Sequence, residues 1–275
     1  MTTGQLKWIG LILMLIDHIG EFIPQAPVWL RYIGRLALPI FFYCSAWGFY
    51  HTHDRKKYLV RMYGLSVLMG LGNIFLSYFM NRGREQDLVN NIFTTIFLGC
   101  CIVYVWESAV CWSTRIKYLM FFALYQVVVF FLCVLLTEPW RLWLNYELHY
   151  TYGTILGNCI FTEGGILFVF YFAGVYFLKE RKMQLSLFTC AFAGLLVILA
   201  ARGWPYRGPV IYLLPYSEYQ WLMALVIPFY YFYNGNKGKH PKTFFYVFYP
   251  LHIWVLQMPN SCRQKFCMLR SGESL

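Results

Sequence analysis

The chain alternates long apolar runs with short polar intervals. A helix needs about 20 mostly apolar residues to cross the hydrocarbon core of a bilayer. Runs of that kind fall at roughly 6–24, 31–50, 58–80, 92–110, 116–136, 163–179, 184–201, 218–234 and 242–258. The pattern predicts an all-α, polytopic integral-membrane bundle of eight to ten transmembrane helices, the range reflecting the shorter runs. The first run lacks a small-residue cleavage site and carries Asp17, His18 and Glu21, so it reads as a span and not as a signal peptide. No internal repeat or soluble domain is evident. One membrane domain over 1–258 is expected, followed by a polar tail at 259–275. The interval 137–162 holds Glu138, Trp140, Arg141, Glu147, His149 and several tyrosines. That density of aromatic and polar groups predicts a segment lying at the interface or folded over an outer cavity.

Composition strengthens the membrane reading. Of 275 residues, 59% are hydrophobic, 21% aromatic and only 13% charged. Soluble domains run nearer one quarter charged. A cytosolic enzyme, a disordered chain and a DNA-binding module are excluded; a lipid bilayer is the expected partner, and nucleic acid is not. The formal charge of +11 then reports topology before it reports a ligand. With nine spans, one side receives Lys7, Arg55, Lys56, Lys57, Arg61, Arg115, Lys117, Lys179, Arg181, Lys182, Lys237, Lys239 and Lys242. The other receives Arg31, Arg35, Arg82, Arg84, Arg141, Arg202 and Arg207, with the acidic Glu85, Asp87, Glu138 and Glu147. The amino terminus is therefore predicted to be cytoplasmic, although the basic tail (Arg263, Lys265, Arg270) runs against the rule. The nine cysteines contain no Cys-x-x-Cys and no zinc-type spacing, so most read as small core residues and no metal is expected.

Ionisable groups inside apolar runs each cost on the order of 2.5–3.5 kcal/mol to insert, and tend to face the bundle interior. Here they are Asp17, His18, Glu21, Arg35, Glu107, Glu163 and His252. Asp17 and Glu21 are one helical step apart, and His18 lies i,i+3 from Glu21. A histidine beside carboxylates is what a general base requires, though a polar stripe gluing helices together has the same spacing. Gly10 and Gly20 allow a close neighbour on the same helix. In the second run Arg35 follows Arg31 by one turn, with Gly34 beside it. Pro39 should bend that helix and free the carbonyl of Arg35. Arg35 facing Asp17 or Glu21 and Arg35 snorkelling to headgroups are the two alternatives. In the last run Pro250 frees the carbonyl of Tyr246, and Tyr249 and His252 share a face; a core histidine bonded to a carbonyl would look the same. With alternating spans, His18, Arg35, Glu163 and His252 all fall in the outer half of the membrane, the common depth a shared site needs.

These segments resemble the TraX family, the F-pilin acetylation proteins. The likeness runs through Leu6-Lys7 to Met14-Leu-Ile-Asp17-His18-Ile-Gly20, Gly34-Arg35-Leu-Ala-Leu-Pro39-Ile-Phe41, the basic stretch Thr52 to Arg61, Asn91-Ile-Phe93-Thr94-Thr-Ile-Phe-Leu-Gly99, Tyr233-Asn234-Gly235, and Phe245-Tyr246-Val-Phe-Tyr249-Pro250-Leu-His252. Residues 105–160 carry no part of it. The end after Pro259 departs from the family's hydrophobic one, which points to truncation or a frameshift. The resemblance implies a multi-pass acetyltransferase of the bacterial inner membrane, similar in design to acyltransferase family 3 and the heparan glucosaminide acetyltransferases. Cytoplasmic acetyl-CoA would be the donor, and the acceptor would be an amine or hydroxyl on the outer side, a pilin amino terminus or an envelope glycan. By that likeness His18 is the base or acyl-handling residue, Asp17 orients it, and Arg35 holds the thioester or its charge. Arg35, Tyr249 or His252 would meet the oxyanion, Glu21 and Glu163 would line the site, and Arg55, Lys56, Lys57 and Arg61 would hold the CoA phosphates or, equally, lipid headgroups. A transporter or flippase running a buried Asp/His/Arg proton relay is the competing class, weakened by the lack of inverted repeats.

Overall fold

A computed structural model describes residues 1–23, 25–80, 89–137, 146–201, 219–238 and 242–271. Every regular element in them is helical. In chain order these are α1 (Thr3–Phe22), α2 (Trp29–Gly34), α3 (Ala37–Tyr50), α4 (Arg55–Met80), α5 (Ile92–Ser108), α6 (Trp112–Thr137), α7 (Tyr146–Leu156), α8 (Gly165–Leu178), α9 (Lys182–Ala201), a 3-10 turn (Gln220–Val226), α10 (Ile227–Phe232) and α11 (Lys242–Ser271). The segments Arg55–Ser77, Trp112–Thr137 and Lys182–Ala201 are long and apolar enough to cross a membrane; Ile92–Ser108, Gly165–Leu178 and Gln220–Phe232 are apolar but shorter. The chain is thus a helical membrane protein. The α6 surface is largely apolar and exposed, with Phe121, Leu124, Phe131 and Leu135 all turned outward.

α1 packs on α2, α3 and α11, α3 on α8, α5 on α4 and α8, and α4 on α7 and α11. The core between them is aromatic: Phe42, Phe49, Phe168, Phe172, Tyr43, Tyr171, Tyr176 and Tyr230 are almost fully buried. The entry of α1 is fixed by a reciprocal cap, in which Gln5 N–H donates to the Thr2 hydroxyl and Thr2 N–H to the Gln5 side chain. Two further α1 donors, Thr3 and Gly4 N–H, reach the carbonyls of Asn236 and Lys237 at 2.8 and 3.0 Å. These bonds tie the first helix to the segment that leads into the last.

Two sequence expectations change. The single helix predicted over 31–50 is broken: α2 stops at Gly34 and α3 starts at Ala37. Pro39 therefore sits in the first turn of α3, where its missing N–H needs no partner, instead of kinking a continuous helix. The run at 218–234 is likewise a 3-10 turn followed by a short α10. The interval 137–162 contains a short helix, α7, packed against α4 and α6, whose Tyr150 lines the cavity described below; Glu138, Trp140 and Arg141 lie outside the described residues, as do the loop cations Arg82, Arg84, Arg202, Arg207 and Lys239. α11 runs helically through 259–271, so the backbone does not change character where the polar tail begins.

Candidate functional site

Close approach of α1 and α2 builds the first part of the site. A Cβ on Gly34 would collide with the side chain of Asp17 and lie 2.6 Å from its Cα, and one on Gly20 would meet Leu30 and Arg31 at 3.0–3.2 Å. Glycine at both positions lets the helices touch, which brings two guanidiniums onto the acidic face of α1. Arg31 Nη1 donates to Asp17 Oδ2 at 2.9 Å and to Glu21 Oε2 at 2.7 Å. Arg35 donates through Nε to Asp17 Oδ1 at 3.1 Å and through Nη2 to Asp17 Oδ2. Its Nη1 reaches Gln220 Oε1 at 3.0 Å, bringing in the 3-10 turn. Asp17 is only 7% exposed. At that burial a lone carboxylate would be prohibitive, and the two guanidiniums supply the compensation.

α11 supplies the second part. His18 Nδ1 and His252 Nε2 are 2.7 Å apart, and His252 Nδ1 is 2.7 Å from the carbonyl of Phe248. The Phe248 and His252 rings stack at 4.9 Å with 10° between planes, and the His18 and His252 rings lie edge to edge, 4.9 Å between centroids and 23° between planes. His18 Nε2 lies 3.9 Å from Glu21 Oε2, beyond hydrogen-bond range. One turn back on α11, the Tyr249 hydroxyl accepts from Ile92 N–H at 2.9 Å and donates to Glu163 Oε2 at 3.1 Å. The Glu163 carbonyl is in turn held by Thr95.

Asp17, His18, Glu21, Arg31, Arg35, Glu163, Gln220 and Tyr249 line one cavity of about 370 Å³. His252 does not line it; it stands behind His18. A second cavity, of about 630 Å³, lies toward the amino-terminal end of α1, with Thr3, Lys7 and Leu11 in its wall beside Arg61, Lys237 and the rings of Trp47, Tyr58, Phe245 and Tyr246. Met14, Phe41, Ile92 and Tyr249 belong to both walls, so the cavities meet there. Thr3 and Glu21 are about 27 Å apart along a helix, so the two cavities extend toward opposite ends of α1.

A family model described as "TraX protein" matches residues 2–258. The chain belongs to the TraX family. It is 25% identical over 268 residues to a protein named probable fimbrial assembly protein FimC, serogroup H1, of Dichelobacter nodosus, covering 92% of this chain and 93% of that one. It is 30% identical over 105 residues to uncharacterized protein RP591 of Rickettsia prowazekii, a match spanning 38% of each chain. No solved structure matches significantly.

In this TraX chain the residues expected from sequence divide into three groups. Asp17, His18, Glu21, Arg35, Glu163 and Tyr249 converge on the first cavity, with His252 joined to them through His18. Arg35 faces Asp17, as expected, but Asp17 does not orient His18. Asp17 is engaged by Arg31 and Arg35, and it is His252 that bonds His18. His252 also has both ring nitrogens engaged and does not line the cavity, so it is not placed to meet an oxyanion. The basic stretch disperses: Arg55 pairs with Glu107 and Tyr176, and Lys57 Nζ lies 3.4 Å from Asp54. Lys57 N–H also donates to Asp54, holding that exposed carboxyl below its ordinary range. Of the four cations only Arg61 reaches the second cavity. Glu107 is therefore part of a separate cluster, with Arg55 and Tyr176, and not of the site.

The sequence reading missed Arg31 and Gln220. Arg31 carried a signal, since its i,i+4 spacing puts it on the face of Arg35, but its position near a span end made it a loop charge. Gln220 carried none; only the packing of the 3-10 turn brings it in. One ligand atom from each of Asp17, His18 and Glu21 lies within 4.8 Å of the others, a spacing a metal ion could use. However, both carboxylates already receive guanidinium hydrogen bonds, so their charge is compensated without a cation.

Proposed function

We propose that this TraX-family protein is a membrane acetyltransferase that takes an acetyl group from acetyl-CoA bound in the second cavity and passes it to an amine or hydroxyl in the first. The observation that carries the reading is that two cavities share the wall Met14, Phe41, Ile92 and Tyr249, with His18 lining the first. The second cavity suits a nucleotide thioester: Lys7, Arg61 and Lys237 offer cations for phosphates, aromatic rings offer faces for adenine, and a pantetheine arm would pass Met14, Phe41 and Tyr249 to reach the base. Lys7 and Lys237 thus replace Arg55, Lys56 and Lys57 as phosphate ligands.

In this scheme His18 Nε2 takes the proton from the acceptor as its nitrogen or oxygen bonds to the acetyl carbon. The carbon–sulfur bond breaks, and the proton held on His18 goes to the departing thiolate. Arg31 commits only Nη1 to Asp17 and Glu21, so its other N–H groups serve the developing oxyanion better than Arg35 does. Positive-inside loop charge gives a cytoplasmic amino terminus, a cytoplasmic donor cavity and an acceptor cavity in the outer half of the membrane. The FimC relative's name and the family's link to pilin acetylation support a pilin amino terminus as one acceptor; an envelope glycan is the other.

The test is thiol release. Purified protein in nanodiscs, given acetyl-CoA and a candidate acceptor, should release CoA thiol and label the acceptor, and His18→Ala should abolish both while the protein still folds. Absence of transfer to any amine or hydroxyl acceptor would favour the transporter reading, which two cavities meeting at a common wall also accommodate.

A further inference from the structure

The His18–His252 pair carries an inference of its own. A carbonyl oxygen only accepts, so His252 Nδ1, 2.7 Å from Phe248 O, must carry the hydrogen. In the neutral ring His252 Nε2 is then an acceptor. The 2.7 Å bond between that nitrogen and His18 Nδ1 needs a donor, and His18 Nδ1 must supply it. Neutral His18 consequently carries its proton on Nδ1 and a lone pair on Nε2. We propose that His252 is a positioning residue that locks His18 in the Nδ1–H tautomer and so makes Nε2, the nitrogen on the Glu21 side, the basic atom of the cavity.

Three observations support this assignment. His252 is 6% exposed and does not line the cavity, so it acts through His18 and not on a ligand. It is itself held, by the Phe248 carbonyl one turn back and by ring stacking on Phe248. The opposing influence is weaker: Glu21 Oε2 favours a proton on Nε2, but at 3.9 Å it makes no hydrogen bond, whereas the His252 contact is a short one. The bond also limits the pair. With both short contacts intact the two rings accept a single added proton, which enters at His18 Nε2, and its charge is shared when the Nδ1 proton shifts toward His252 Nε2. Two protons would set two N–H groups against each other and break the pair.

The role of His18 as a base rests on the acetyltransferase reading, but the tautomer does not. Nitrogen-15 NMR of histidine-labelled protein in nanodiscs, with His18 signals assigned by their loss in His18→Ala, reads the tautomer directly. Wild-type protein should give a protonated Nδ1 and an unprotonated Nε2 at His18. His252→Leu should move the population toward Nε2–H, the form that Glu21 then favours. His252→Gln, whose amide oxygen reaches as far as Nε2 and accepts, should restore the wild-type pattern. In acetyl transfer His252→Leu should lower kcat by about 100-fold or more, the usual worth of a general base, with KM nearly unchanged, and His252→Gln should recover much of it. A wild-type His18 protonated on Nε2, or a tautomer unmoved by His252→Leu, overturns the proposal. The expected NMR pattern in a protein that transfers no acetyl group would sustain the proposal while the enzyme reading falls.

Discussion

Replacing Asp17 by Asn keeps the side chain's shape and removes its charge, which isolates what the two arginines hold. Asp17 receives Arg31 Nη1 on Oδ2, Arg35 Nε on Oδ1 and Arg35 Nη2 on Oδ2. Side-chain exposure is 10% for Asp17, 17% for Arg31 and 12% for Arg35, so little water is at hand to replace the lost anion. Breaking a buried pair by removing one partner costs about 3–5 kcal/mol. Arg31 keeps Glu21 at 2.7 Å, so the loss falls mainly on Arg35, and the lower end, about 3 kcal/mol, is expected. For a chain of this size that corresponds to a fall on the order of 10 °C in apparent unfolding temperature, measured in nanodiscs at fixed scan rate. Adding Arg35→Gln to Asp17→Asn should recover part of the loss, because the buried cation goes with its partner. Adding Arg31→Gln should not, because it also strips Glu21. The His18 tautomer should stay as in wild type, since Asp17 does not bond that ring. A loss under about 1 kcal/mol, the worth of a solvent-exposed pair, or equal behaviour of the two double variants, would refute the account of Asp17 as a desolvated anchor.

Three further outcomes follow from the packing and the cavities. Gly34→Ala should destabilise by about 1–3 kcal/mol, because its Cβ meets the Asp17 backbone, whereas Gly64→Ala, with no described atom within 4 Å, should be neutral or stabilising by up to about 1 kcal/mol; thermal unfolding compares the two directly. Neutralising Lys7, Arg61 or Lys237 should raise the KM for acetyl-CoA more than it lowers kcat, the sign of lost uniform binding, while Lys56→Ala and Lys57→Ala leave KM unchanged; the reverse pattern would return the donor to the 55–57 stretch. In a variant freed of reactive native cysteines, a cysteine introduced at Lys56 should resist an impermeant thiol reagent added to intact cells, and efficient labelling would invert the topology.

Much of this protein was legible along its chain. Apolar run length and the rarity of charge announced a helical membrane protein, because lipid leaves no other backbone arrangement open to runs of that composition. The few ionisable groups within those runs named most of the site, since each is too costly to keep without a partner. Tertiary structure alone decided who those partners are. Asp17 and His18 are sequence neighbours, yet a helix turns successive side chains about 100° apart, so Asp17 faces α2 and His18 faces α11. Whether a carboxylate or a second imidazole fixes the His18 ring therefore depended on which helix packs where. The same holds for the cations: Thr3 and Gly4 N–H groups bind the carbonyls of Asn236 and Lys237 and so bring Lys237 to the cavity wall that Lys7 lines, while Arg61 reaches it from α4. Local pattern fixes what a segment must bury; long-range backbone bonds and glycine-sized gaps fix what it is buried against.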